Sequence, residues 1–297
     1  MKNNILVMLS TYNGEKYLSQ QLDSILSQKG VNVDILIRDD GSKDMTKDII
    51  LQYASKFDNI SYFFGKNVGY AKSFWDLVHK SKKYDYYAFC DQDDIWLDSK
   101  LEEAINKINE FSKKAVPILY TSRVVSVNNN MDIISSNTFP CNKVLNVYES
   151  FQKSVVPGCT FVFNKYAISL LKKYKGFMES HDWATYAIVK VFGHVIYDNN
   201  SYINYRIHSE NAIGQTQSKI KKLSVKIKRF FKENKNSRSK FAKDFYNCYK
   251  DKIPAELIDE IKCLAFYRER KLLKLKLLFN KNFKGLIFKI YVILNKV

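Results

Sequence analysis

Residues 86–96 read YYAFCDQDDIW. A mostly apolar run ends in Asp91, Asp93 and Asp94, and another apolar pair follows. Carboxylates that close repel one another unless something positive sits among them. Hard divalent cations prefer oxygen ligands, and Mg²⁺ is usually held by one or two carboxylates together with substrate phosphates. A metal-assisted site explains the cluster. A solvated loop in which Asp94 or Asp98 caps the next helix explains it too. Other acids stand at comparable places: Asp39 and Asp40 in RDDGSKD (38–44), Glu15 in STYNGE (10–15) and Asp182 in ESHDW (179–183).

These residues need a frame. ILVMLS (5–10), VDILIRDD (33–40), ISYFFG (60–65) and DYYAFC (85–90) are short apolar runs that predict buried strands. Between them Leu18, Leu22, Ile25 and Leu26 recur at helical spacing, Asp44 stands before a helix reaching Tyr53, and residues 68–81 form a third helix. Strand and helix alternate, so the expected fold is α/β with a mostly parallel, doubly wound central sheet flanked by helices. In such sheets ligands bind beyond the carboxyl ends of the strands. The acids fall there. Asn13-Gly14 and Asp40-Gly41 are also ordinary turn dipeptides.

Further on, a helix follows Asp98 as far as Phe111, and residues 117–125 and 155–164 predict strands. Helices are expected over 165–174 and within 179–192, and HVIYD and SYINYRIH close a first domain near residue 215. The expected division is 1–215 for the catalytic domain and 216–297 for a basic helical extension. Charge supports it. The chain carries +18 overall, and the stretch from Lys219 onward holds 23 Lys and Arg against 7 Asp and Glu. Leu272, Leu275, Phe279, Phe283, Leu286, Ile290 and Ile293 step by three or four among lysines there, a basic amphipathic pattern interrupted by Gly285. An anionic partner is implied, a membrane surface or a nucleic acid. The tail has aromatics among its lysines (Phe230, Phe231, Phe241, Phe245, Tyr246), but no recognisable nucleic-acid module accompanies them. An odd count of five cysteines without a C-x-x-C pair argues against a disulfide framework or zinc knuckle. No run reaches the roughly 18 apolar residues of a membrane span.

Seven stretches, in order, resemble a family 2 glycosyltransferase of the GT-A fold: STYNGEKYL (10–18), RDDGSKD (38–44), KNVGYAKSF (66–74), CDQDDIW (90–96), VVPGCTFVF (155–163), HDW (181–183) and YRIHSENAIG (205–214). The resemblance is closest to the rhamnosyltransferase-like branch. It implies that Thr11, Tyr12 and Glu15 hold the base and ribose of a nucleotide-sugar donor, and that Asp39 and Asp40 line the base pocket. Asn67, Gly69 and Gly158 belong to donor-binding stretches. Asp91 would face the ribose or sugar, Asp93 would bind Mg²⁺ or Mn²⁺, and Asp94 would contact sugar hydroxyls or orient its loop. Asp182 matches the general base of an inverting transfer, and it also suits a helix N-cap. His208 would approach the metal or diphosphate, with Arg206 as a phosphate contact; a lone histidine after a strand is equally a structural residue. Cys159 reads as packing. The resemblance favours rhamnose from dTDP-rhamnose as donor, a UDP-hexose being the alternative, and a glycan acceptor on a lipid carrier. The expected place is the cytoplasm, peripheral on the inner face of the cell membrane, in assembly of a bacterial surface polysaccharide. The Q-x-x-R-W motif of processive members is absent, which implies addition of one sugar or few.

Overall fold

The computed structural model describes residues 2–111, 115–136, 144–153, 156–208 and 236–297. The four predicted strands are β1 (Asn3–Thr11), β2 (Val31–Asp39), β3 (Ile60–Phe64) and β4 (Tyr86–Cys90). They pair in parallel in the order β3-β2-β1-β4. Ile5 to Leu9 of β1 are buried without alternation, as expected of a strand covered on both faces. The crossovers are α1 (Leu18–Leu26), α2 (Thr46–Lys56) and α3 (Tyr70–Lys80). Leu18, Leu22 and Ile25 of α1 lie on one stripe and are fully buried.

Beyond β4 the sheet becomes mixed. β6 (Ile118–Val127) and β9 (His194–Arg206) are parallel to each other. The short β8 (Val162–Asn164) lies antiparallel between β4 and β6. Two-residue β5 (Ile95–Trp96) pairs antiparallel with β9, and β7 (Ile133–Ser135) pairs with β6. Helices α4 (Lys100–Phe111), α5 (Val147–Ser150), α6 (Lys165–Leu171) and α7 (His181–Phe192) complete this part.

Two expectations are corrected. The strand predicted over 155–164 is a 3-10 turn, Gly158–Thr160, followed by β8. Pro157 lacks the N–H that a ladder needs, and its carbonyl accepts from the Thr160 hydroxyl at 2.8 Å, which closes the turn. HVIYD and SYINYRIH are one strand, β9, with register shifts where it pairs with β6.

The chain divides into two compact units, Met1–Arg206 and Ile207–Val297. The boundary drawn at 215/216, the residues from Ser209 to Gly214 of the last motif, and Phe230 and Phe231 lie outside the described residues. Among the described residues the second unit has four helices: α8 (Ser237–Tyr249), α9 (Ala255–Phe266), α10 (Lys271–Phe279) and α11 (Leu286–Ile293). Phe241, Phe245, Tyr249, Ile261, Leu264 and Tyr267 form its buried centre. The apolar stripe from Leu272 to Ile293 spans two helices rather than one. Gly285 sits between them at φ 110°, a conformation that a residue with a Cβ rarely adopts.

Candidate active site

The loops after β1, β2 and β4 are laced together by side chains. Gln92 of the acid cluster is the link between two of them. Its Oε1 accepts from the Thr11 hydroxyl at 2.6 Å and from the Tyr12 N–H at 2.8 Å, and its Nε2 donates to the Tyr12 carbonyl at 3.2 Å. Asn13, at φ 48°, accepts from the Lys43 N–H, and its own N–H donates to the Ser42 hydroxyl. Glu15 accepts from the Met45 N–H at 2.9 Å. Asp44 accepts from the Thr46 N–H and hydroxyl just before α2 and takes the Glu15 N–H as well.

The acidic pair shapes the same region. Asp39 is fully buried and accepts from the N–H groups of Gly41 and Ser42 and from the Ser42 hydroxyl. Asp40 accepts from Arg38 at 2.6 Å, from the Val68 N–H at 2.8 Å and from the Gly69 N–H at 2.9 Å. It thereby fixes the loop that carries Asn67 and Gly69. Arg38 is buried too and also reaches Asp76 at 2.9 Å and the Ser73 hydroxyl at 3.0 Å. In this structure both carboxylates are engaged by the chain itself. Thr11 is buried, and Tyr12 stays exposed at the rim.

At the end of β4 the ligand atoms of Asp91, Asp94 and Cys159 lie within 4.8 Å of one another. Asp93, expected to hold the cation, stands outside this trio, yet its charge bears on both other acids. Burial, then Asp93 and Asp182, push the Asp91 carboxyl up to about 8. Asp94 is raised well above the usual carboxylate range by burial, Asp93 and Asp91. Its Oδ1 accepts from the Arg206 N–H at 3.3 Å, while its buried Oδ2 has no partner among the described residues. Crowded carboxylates with an orphaned oxygen suit a hard dication, so the donor set fits the expected Mg²⁺ or Mn²⁺. Burial raises the Cys159 thiol well above its ordinary range, with Asp94 and Asp91 adding to it, which keeps it a thiol. Below the cluster Lys100 is buried, its Nζ 3.4 Å from the centre of the Trp96 ring. Desolvation lowers its pKa to about 8.

Asp182 lies in the first turn of α7. The cap is Ser180, which accepts from the Trp183 N–H at 3.4 Å, and Asp182 Oδ1 takes the same N–H at 2.7 Å. The two neighbours of Asp182 are anchors. His181 is buried, stacked on Phe74 with ring centres 3.8 Å apart and edge-on to Phe89. Trp183 is buried and donates its Nε1–H to the Ser150 carbonyl at 2.7 Å. Burial lowers the His181 pKa to about 4. The half-buried carboxylate between them is close enough to raise both Asp91 and Tyr70.

Gly158 serves this arrangement. A Cβ there would stand 2.5 Å from His181 Nε2 and 3.2 Å from Asp182 Cβ. Its visible role is to admit the HDW segment against the 3-10 turn.

Arg206 is a correction. Instead of facing a phosphate it is buried, with Nε donating to the Asp93 carbonyl at 3.0 Å, Nη1 to the Asn129 carbonyl at 3.1 Å and Nη2 to Gln20 Oε1 at 2.7 Å. Its guanidinium also lies 4.7 Å from the centre of the Tyr17 ring. It holds the acid loop from behind. His208 is half-buried, two residues past β9 and in the second unit.

Sequence reading missed Gln92, Arg38, His181 and Lys100. Gln92, Arg38 and His181 all lie inside the quoted motifs and could have been found there. Lys100 carried no sign of its burial in the sequence.

A family profile described as glycosyl transferase family 2 matches residues 6–171. The chain belongs to that family and is a glycosyltransferase of its rhamnosyltransferase-like kind. It is 30% identical over 246 residues to a dTDP-rhamnosyl transferase, RfbG, of Shigella flexneri, covering 76% of this chain and 81% of that one. An uncharacterised glycosyltransferase of Rickettsia typhi is 24% identical over 77% of this chain and 72% of its own. Among solved structures, S. aureus TarS 1-349 in complex with UDP-GlcNAc matches all of this chain and 88% of its own, with a TM-score of 0.59 at 16% identity. A mannosyltransferase of Pyrobaculum calidifontis in complex with GDP-Man and Mn²⁺ covers 99% of this chain and 75% of its own, with a TM-score of 0.52 at 14% identity. The fold is therefore GT-A-like, a mostly parallel sheet flanked by helices with further helices at the C-terminal end.

Proposed function

We propose that the protein transfers a single rhamnose from dTDP-rhamnose, with inversion, to a glycan on a lipid carrier during assembly of a bacterial surface polysaccharide. The observation that carries the donor is the 30% identity with a dTDP-rhamnosyl transferase across most of both chains. The juxtaposition of Asp182 with the acid cluster supports the chemistry.

The acceptor hydroxyl gives its proton to the Asp182 carboxylate as its oxygen attacks the anomeric carbon. The bond from that carbon to the diphosphate oxygen breaks on the opposite face, and the nucleoside diphosphate leaves. His181 and Trp183 keep Asp182 still while this happens. Thr11 and Tyr12, tied to Gln92, and the loop carrying Asn67 and Gly69 form the walls for the nucleotide. Mg²⁺ or Mn²⁺ held by Asp93, with Asp91 and Asp94 beside it, would offset the charge that grows on the leaving diphosphate. The basic C-terminal unit places the enzyme on an anionic membrane, where a lipid-linked acceptor is found.

The test is a panel of nucleotide sugars offered to purified protein, with released diphosphate as the readout. Turnover of dTDP-rhamnose above UDP-glucose, UDP-galactose and UDP-N-acetylhexosamines is expected. It should vanish in chelator and return with Mg²⁺ or Mn²⁺. Preference for a UDP-sugar would overturn the donor, and full activity in chelator would overturn the metal.

A further inference from the structure

The last 28 residues, from Arg270 to Val297, hold eight Lys and Arg and no Asp or Glu. They contain α10 and α11, which are joined by the turn at Gly285. One side of this pair faces inward: Leu277, Phe283, Phe288 and Val292 are buried, and the rings of Phe283 and Phe288 stack with centres 5.6 Å apart. Lys274 Nζ ties the pair together, donating at 2.9 Å to the Ile293 carbonyl and to Asn295.

The other side is apolar and uncovered. Phe279 is 80% exposed, Leu286 77% and Ile287 70%, and Leu272, Leu275, Ile293 and Leu294 are also exposed. This is largely the face that the sequence stripe predicts, since Leu272, Leu275, Phe279, Leu286, Ile290 and Ile293 of it are all exposed. Phe283 of that stripe turns inward, while Ile287 and Leu294, outside it, turn outward. The outward side chains nearest the turn, Phe279, Leu286 and Ile287, bracket Lys281 and Lys284.

We infer that α10 and α11 form an interfacial anchor that seats the tip around Gly285 in an anionic lipid bilayer. The inference extends the proposed membrane attachment by naming the face and its residues. A helix of nine residues and one of eight reach about 12–14 Å each at 1.5 Å per residue, well short of the roughly 30 Å hydrocarbon core. They lie in the headgroup layer rather than crossing it. Apolar side chains at the tip enter the acyl boundary, and the flanking lysines meet lipid phosphates. Charge selects this occupant. A second copy would bring the same unrelieved positive face against the first. A nucleic acid would satisfy the lysines but leave Leu286 and Ile287 in water, since bases stack on aromatic rings rather than on aliphatic chains.

The experiment is co-sedimentation of the full chain with phosphatidylcholine vesicles, with and without phosphatidylglycerol. The variant is Phe279→Ser/Leu286→Ser/Ile287→Ser, whose sites are exposed and do not support the fold. The wild type is expected to bind the anionic vesicles and to leave the neutral ones largely in the supernatant. The triple variant should partition at least about tenfold more weakly, with unchanged melting and unchanged diphosphate release from donor alone. That release assay reads the transfer chemistry independently, so failure of the donor assignment cannot be mistaken for failure of the anchor. Vesicle binding untouched by the triple change would overturn the inference. So would self-association that the change abolishes in the absence of lipid, or retention by single-stranded nucleic acid but not by vesicles.

Discussion

Asp182 shows how much a single side chain depends on its neighbours. His181 and Trp183 are buried on either side of it, and it alone of the three stays half-open. Asp182→Asn keeps the shape and the bond from the Trp183 N–H but removes the proposed base. General base assistance is typically worth about 10²–10⁴ in rate. The variant should lose transfer by that factor with donor affinity nearly unchanged, as read by single-turnover kinetics and nucleotide titration. A loss of only a few-fold would move the base elsewhere. His181 carries a different signature, in stability rather than rate. Its imidazole stays neutral in the fold down to about pH 4, whereas an unfolded chain takes the proton near 6.5. Between those values the unfolded state binds more protons, so folding stability falls as the pH drops through that window. The full shift is worth on the order of 3 kcal/mol. His181→Phe keeps a ring on Phe74 and removes the titration. The wild type should therefore lose more stability than the variant between pH 6.5 and 4, measured by urea melts at a series of pH values. Parallel curves would mean that His181 is hydrated and not sealed among rings.

At the scale of elements, the site is a meeting of loops rather than of strands. The parallel half of the sheet puts the loops after β1, β2 and β4 on one edge, and hydrogen bonds accepted by Gln92, Asp40 and Asp44 then tie neighbouring loops together. The 3-10 turn at Gly158 brings Cys159 to the acids and admits α7 behind it. Gly158→Ala tests that junction. Its methyl cannot fit without moving the His181 ring, and it would press on the Asp182 Cβ. The protein should remain folded, lose transfer rate by about tenfold or more, since small misplacements of a catalytic group are costly, and keep its affinity for nucleoside diphosphate. A fall in donor affinity with an intact rate would assign Gly158 to the sugar pocket instead. Helix and strand patterning found most of these elements, because burial imposes a period of 3.6 on helices and continuous apolar runs on strands covered on both faces. It failed at residues 155–164, where the apolar run is divided by a turn that only its packing on α7 requires, and at Ile95–Trp96, too short to show a period.

The whole molecule divides into two units of different composition. The first unit holds the acid cluster and Asp182, and the second holds the basic helices. A chain ending at residue 218 should still bind nucleoside diphosphate with Mg²⁺ or Mn²⁺, seen as a metal-dependent rise in melting temperature. It should not sediment with anionic vesicles. Vesicle binding by that shortened chain would place the membrane contact in the first unit. Much of this division was legible beforehand. The order of apolar runs and turn residues determined the α/β alternation. Acids at strand ends marked the site, since a parallel sheet presents those ends to one edge. Net charge marked the tail, since charge needs no fold to be counted. What only the tertiary structure decided is which groups are spent on the protein itself. Arg206 and Asp40 carry the charges expected of ligand contacts, but they are turned inward, Arg206 on carbonyls and Gln20 and Asp40 on Arg38 and backbone amides. His181 and Lys100 are polar in composition and buried in fact. The apolar face of α10 and α11 keeps most of the sequence stripe, but packing turned Phe283 inward and Ile287 and Leu294 outward. In each case the residue type states what a side chain can do, while burial and the partners brought by distant segments determine what it does, and those are set by packing across the whole chain.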